Sequence, residues 1–129
     1  MAEAPKKILL VEDDPMIVEM YKMRFEEEGF EVLVTDRGSE ALEIASQQRP
    51  VAVLLDVILP EIDGFSILQN LKSSPDTRDI PVMLLTNLGQ ESDQEKGRQL
   101  GVADYFIKSQ HTPADIIQRV NSIIINKTA

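Results

Sequence analysis

Five short apolar runs punctuate this chain: Lys7–Val11 (KILLV), Val32–Thr35 (VLVT), Val51–Leu55 (VAVLL), Val82–Leu85 (VMLL) and Tyr105–Ile107 (YFI). Most lack the polar alternation of a strand with one wet face, so they read as strands buried on both faces. Longer stretches of helical period lie between them. Strand and helix in strict alternation demand a parallel sheet covered by helices on both faces, an α/β domain with five strands and five helices.

The helical stretches carry their own punctuation. The first starts near Asp14-Pro15, with Pro at a helix-entry position; Ile17, Met20, Tyr21 and Phe25 recur on one face and Gly29 ends it. The second starts near Ser39 and carries Ala41, Leu42 and Ala45; the third follows Asp63-Gly64 with Phe65, Ile67, Leu68 and Leu71. The fourth, Ser92–Leu100, is polar and contains Gly97, which costs about 1 kcal/mol against Ala and marks it as the loosest helix. The fifth opens with Thr112 as N-cap, Pro113 in the first turn and Asp115 placed for a capping box, before Ile116, Ile117, Val120, Ile123 and Ile124. One domain accounts for residues 1–129, with a core from about 6 to 126 and no output domain; only MAEAP and NKTA read as frayed ends.

The residues that follow the runs are the informative ones. After the first come Glu12, Asp13 and Asp14; after the third, Asp56; after the fourth, Thr86; after the fifth, Lys108. In a parallel sheet all carboxyl ends lie on one edge, so these groups converge. Thr35-Asp36, after the second, need not join them if that strand is an edge. Ligand sites in open α/β sheets form beyond the carboxyl ends, where strand order reverses. If the first and third strands are neighbours, Asp13 and Asp56 flank that point. Carboxylates held this close cannot all ionise unaided. A divalent cation relieves the repulsion, and Mg²⁺ suits a site of few carboxylates, water and phosphate oxygens. Thr86 adds a hydroxyl and Lys108 a compact point charge. Together they describe a phosphoryl site, with Asp56 presenting one carboxylate oxygen as a nucleophile from a rigid buried strand.

Each residue alone has a plainer reading. An Asp after a strand caps helices or forms turns, Glu12–Asp14 favours a helix N-terminus, Lys108 is a solvated lysine and Thr86 a strand former. Their convergence reverses those readings. His111 has no Cys and no second His in the chain, so it is no metal site. Composition excludes other classes. The net charge of −9 opposes direct nucleic-acid binding. No run is long enough to span a bilayer, the N-terminus has no signal-peptide pattern, and a cytoplasmic protein is expected. There is no G-x-G-x-x-G, no Walker motif, and aromatic residues make up only 5%, against a nucleotide or flavin domain.

The segments ILLVEDDP, LLDVILPEIDGF, IPVMLLTN and GVADYFIKS, in this order across nearly the whole chain, resemble the receiver domains of two-component response regulators. The resemblance implies a flavodoxin-like strand order 2-1-3-4-5. It implies that Asp56 accepts a phosphoryl group from the phosphohistidine of a sensor histidine kinase or a histidine phosphotransfer protein. Glu12 and Asp13 match the acidic pair, Asp13 as a direct Mg²⁺ ligand, with the Ile58 backbone carbonyl completing the protein's share. Lys108 would pair with the phosphoryl group, Thr86 would hydrogen-bond it, and Tyr105 would rotate inward. Pro60 and Gly64 shape the loop after Asp56, and the role of Asp14 is left open. The output would pass through the fourth helix, fifth strand and fifth helix, to an unknown protein target or a homodimer partner. Such a protein is not an enzyme beyond catalysing its own phosphoryl transfer and loss.

Two positions depart from the family. Ser109 stands where proline usually follows the lysine, so the Lys108-Ser109 bond is either trans or a cis bond held by its surroundings. Asn87 replaces a small residue and narrows the approach to Asp56. Ile58 and Leu88 flank the phosphoryl position; neither can orient an attacking water, which implies a long-lived phosphorylated state. A phosphorylation-independent scaffold of the same fold is the alternative that Asn87 and Ser109 support. A phosphohydrolase is disfavoured because its second acid would fall at Ile58.

Overall fold

The computed structural model describes residues 6–59, 62–87 and 91–128. Pro60 and Leu88, singled out above, lie outside them, as does the N-terminal MAEAP segment. Five strands and five helices alternate: β1 Lys7–Val11, α1 Pro15–Glu27, β2 Glu31–Thr35, α2 Gly38–Gln48, β3 Ala52–Leu55, α3 Gly64–Ser73, β4 Val82–Thr86, α4 Glu91–Gln99, β5 Asp104–Ile107 and α5 Pro113–Thr128. Helix α5 runs on through Thr128, past the point at which NKTA suggested fraying. The strands form one parallel sheet in the order β2-β1-β3-β4-β5.

The helix starts read from the sequence are in place. The Asp14 side chain accepts from Met16 N at 3.0 Å and opens α1. Thr112 Oγ1 accepts from Asp115 N at 3.1 Å and opens α5. Gly29 closes α1 with φ of +92°, a left-handed position that suits glycine.

Side-chain alternation along the strands splits the core into two layers. Ile8, Leu10, Ala52, Leu54, Met83, Leu85 and Phe106 face α1 and α5, where Tyr21, Phe25, Ile116, Ile117, Val120 and Ile124 meet them. Leu9, Val11, Val53, Leu55, Val82 and Leu84 face the other way, against Ala41 and Ala45 of α2 and Phe65, Ile67, Leu68 and Leu71 of α3. The central strands β3 and β4 are buried along their whole length, whereas β2 is not and leaves Val34 39% exposed. β2 lies at the sheet edge, where helices cover less of it. Met20, grouped by spacing with the inward face of α1, instead lies 38% exposed beside Met16 and Met23. The inward face of that helix is narrower than its apolar content implies.

Candidate functional site

Register builds the site. Val11 lies opposite Leu55 and Thr35, and Thr86 opposite Ile107. The ladder continues one residue further. Asp56 N donates to Val11 O at 3.0 Å, Glu12 N to Thr35 O at 3.1 Å and Lys108 N to Thr86 O at 2.8 Å. Parallel pairing therefore sets Glu12 beside Asp56 and Lys108 beside Thr86 at the carboxyl edge. Strand order reverses between β1 and β3, and a cleft of about 320 Å³ opens there, lined by Glu12, Asp13, Asp14, Ile17, Asp56, Ile58, Thr86, Asn87 and Lys108.

Lys108 organises the floor of the cleft. Its Nζ donates to Glu12 Oε1 at 2.8 Å and to Asp56 Oδ2 at 3.0 Å. No peptide bond among the described residues is cis, so Lys108-Ser109 is trans, and the lysine still reaches both carboxylates. The second oxygen of Asp56 accepts from Ile58 N at 3.1 Å. The sequence pointed to the carbonyl of Ile58 but not to this N–H, which fixes the orientation of the carboxylate. Gly64 fixes the loop behind it. Its N–H donates to Val57 O at 2.7 Å, and a Cβ at this position would fall 2.4 Å from the Asp56 carbonyl oxygen. Any larger residue would displace the Asp56 backbone; the Asp-Gly pair before a helix was the sequence signal.

The acids are unequal. Glu12 and Asp56 are buried and Asp13 is exposed, yet one ligand atom from each lies within 4.8 Å of the others. Burial pushes the Glu12 carboxyl up to about 8, and the neighbouring Asp56 adds to the rise, outweighing the opposing pull of Lys108. For Lys108, burial works downward, but the Glu12 and Asp56 carboxylates prevail and hold the ammonium above its ordinary value. Glu12 Oε2 is buried without a hydrogen-bond partner. An orphaned buried oxygen beside two further carboxylates is the arrangement a hard divalent cation satisfies, so the residues fit Mg²⁺. Asp14, whose role the sequence left open, spends one oxygen on the α1 cap.

Thr86 is fully buried at the inner wall and Asn87 is exposed at the rim. Ile58 also stands at the rim, 59% exposed. Tyr105 is half-buried one strand away. Burial, then Asp93 and Asp56, push its hydroxyl up to about 12, so it stays protonated at neutral pH. His111 is apart from the site; its ring packs edge-on to Phe106 and Nδ1 lies 3.1 Å from the Ile107 backbone nitrogen.

The response regulator receiver domain model matches residues 8–121. The chain belongs to this family. Receiver domains are signalling modules that interact with histidine kinases. This receiver is 36% identical over 119 residues to a probable transcriptional regulator, ycf27, of Cyanophora paradoxa, covering 92% of this chain and 48% of that one. The chain spans about half the length of the relatives it matches. Its structure resembles the receiver domain of response regulator 1452 of Francisella, with a TM-score of 0.85, 30% identity, and coverage of 96% of this chain and 99% of that one. It also resembles the receiver domain of the sensor histidine kinase PA1611 of Pseudomonas aeruginosa, solved with a magnesium ion coordinated in its active-site cleft. There the TM-score is 0.84 and the identity 30%, covering 94% of this chain and 98% of that one. No helix among the described residues is long and apolar enough to cross a membrane.

Proposed function

We propose that Asp56 accepts a phosphoryl group, in a Mg²⁺-dependent step, from the phosphohistidine of a sensor histidine kinase or a histidine phosphotransfer protein in the cytoplasm. One observation carries this reading: a single ammonium, Lys108, bridges Glu12 and Asp56 at the floor of an open cleft. An Asp56 oxygen forms the new bond to phosphorus as the phosphorus–nitrogen bond breaks, its electron pair remaining on the imidazole. The product is an acyl phosphate. Lys108 neutralises charge on the transferred group, and the Ile58 N–H holds the other Asp56 oxygen in place. Glu12, Asp13, Asp56 and the Ile58 carbonyl are the groups that would hold Mg²⁺, which supplies charge neutralisation for the phosphoryl oxygens when bound. The PA1611 receiver, with magnesium in its own cleft, supports that assignment.

The added charge then biases a two-state element. The Thr86 hydroxyl donates to the phosphoryl group and Tyr105 turns inward. The face of α4, β5 and α5 carries the output to a downstream protein or to a second copy. Incubation with Mg²⁺ and a small acyl-phosphate donor, followed by intact mass measurement, tests the reading. The wild-type chain gains one phosphoryl mass, Asp56→Asn does not, and Asp13→Ala gains it much more slowly. An equal gain in Asp56→Asn overturns the assignment.

A further inference from the structure

Helix α4 is anomalous among the five. Its sequence, ESDQEKGRQ, contains no apolar side chain, so it has no hydrophobic stripe with which to hold the sheet. Its seat is Gly97, which is buried in the middle of the helix. A Cβ there would approach Leu84 Cδ1 to 3.1 Å and Tyr105 Cδ2 and Val102 Cγ1 to 3.4 Å. The missing side chain leaves room there for Leu84, and it is the point at which this polar helix comes close to β4 and β5.

The neighbouring residue makes the second contact. Lys96 Nζ lies 4.7 Å from the centroid of the Phe65 ring, within range of a cation–π attraction. Phe65 is buried in the first turn of α3. It directly follows Gly64, whose backbone rests on Asp56 O and Val57. Phe65 thus follows the loop that carries Asp56 directly in the chain, and Lys96 of α4 meets its ring. The next residue, Gly97, packs close to Tyr105.

We propose that the Lys96–Phe65 contact is a clasp that ties α4 to the acceptor loop and sets how readily α4 leaves its seat. Lys96 is then a positioning residue for the switch, acting through Phe65 on the loop that carries Asp56. This rests on the phosphoacceptor reading above, and the tests separate the two. A helix without an apolar face is the element in which one cation–π pair between an exposed lysine and a buried ring changes populations measurably. Its loss is expected to raise opening about two- to fivefold, the range of such contacts at exposed sites.

Hydrogen exchange of the α4 amides in the unphosphorylated chain reads the clasp directly. Lys96→Met keeps the aliphatic stem and loses the cation; exchange in α4 should quicken about two- to fivefold, with β1 and β3 unchanged. Lys96→Arg, which keeps a cation for the ring, should restore the wild-type rate. In a Phe65→Leu background, Lys96→Met should have no further effect. Wild-type exchange in Lys96→Met, or an undiminished effect of that change in Phe65→Leu, overturns the clasp. Phosphorylation by a small acyl phosphate is the second readout, in which Lys96→Met should accept faster than wild type. Faster exchange with unchanged phosphorylation rate in a chain that does accept phosphate overturns the coupling to Asp56. If no variant is phosphorylated at all, the phosphoacceptor reading falls, while the exchange result still decides the clasp.

Discussion

Glu12 is the residue whose chemistry depends most on its surroundings. Burial raises its carboxyl from the ordinary 4.5 to about 8 on folding. Between those values the folded state keeps a proton that the unfolded state has lost, so stability falls as pH rises through this window. In a chelator, urea unfolding midpoints should decline from pH 5 to pH 8. Glu12→Gln should flatten the decline, and Mg²⁺ should offset it by giving the ionised carboxylate a partner. A wild-type midpoint that rises over the same range in chelator contradicts the assignment. At the rim, Ile58 is exposed over the cleft and presents no group that can orient a water. Loss of phosphate needs such a water in line with phosphorus, and each 1.36 kcal/mol of barrier is about tenfold in rate. The phosphorylated wild-type protein should therefore decay slowly in Mg²⁺, and Ile58→Asn should decay faster. Decay within seconds in the wild type, or no acceleration in the variant, counts against this account.

At the scale of the element, the helices are held in different ways. α3 and α5 bury continuous apolar faces, Phe65, Ile67, Leu68 and Leu71 in one and Ile116, Ile117, Val120 and Ile124 in the other. α1 buries Tyr21 and Phe25 while turning Met16, Met20 and Met23 outward. For α5 the entry matters as well as the face, because Thr112 satisfies the Asp115 N–H at 3.1 Å. Thr112→Ala should cost about 1 kcal/mol of global stability, seen as a lower denaturant midpoint with an unchanged slope. The sheet elements follow their place in the order. β3, between β1 and β4, is wholly buried, and β2 at the edge is not.

The whole molecule is two apolar layers on one sheet, and the sheet carries the site on its carboxyl edge. Truncation in either layer should act globally. Leu54 is 1% exposed on the α1–α5 side, and Leu54→Ala should cost about 2–5 kcal/mol. Val34→Thr, at the 39% exposed edge position, should change stability by about 0.5 kcal/mol or less. Equilibrium unfolding of both variants followed by two probes checks the contrast; similar losses in the two would mean that β2 is packed as tightly as β3.

Much of this was legible along the chain. Apolar runs too short for helices, with charged or hydroxyl residues directly after them, located the four strand ends that carry the site and named Glu12, Asp13, Asp56, Thr86 and Lys108. The start of α1 near Asp14-Pro15 and the cap at Thr112 were legible because a cap is a contact over two or three residues. Local pattern could not show that Met20 faces outward, since the width of a helix's buried face is set by what packs against it. Nor could it show what Gly97 packs against, since its neighbours, Leu84, Val102 and Tyr105, come from elsewhere in the chain. The same holds for Lys108, which finds Glu12 across 96 residues of chain. Sequence determined which groups arrive at the carboxyl edge, because strand direction and side-chain alternation are local rules. Tertiary structure decided which oxygen meets which ammonium, because that depends on the register of strands brought together from opposite ends of the chain.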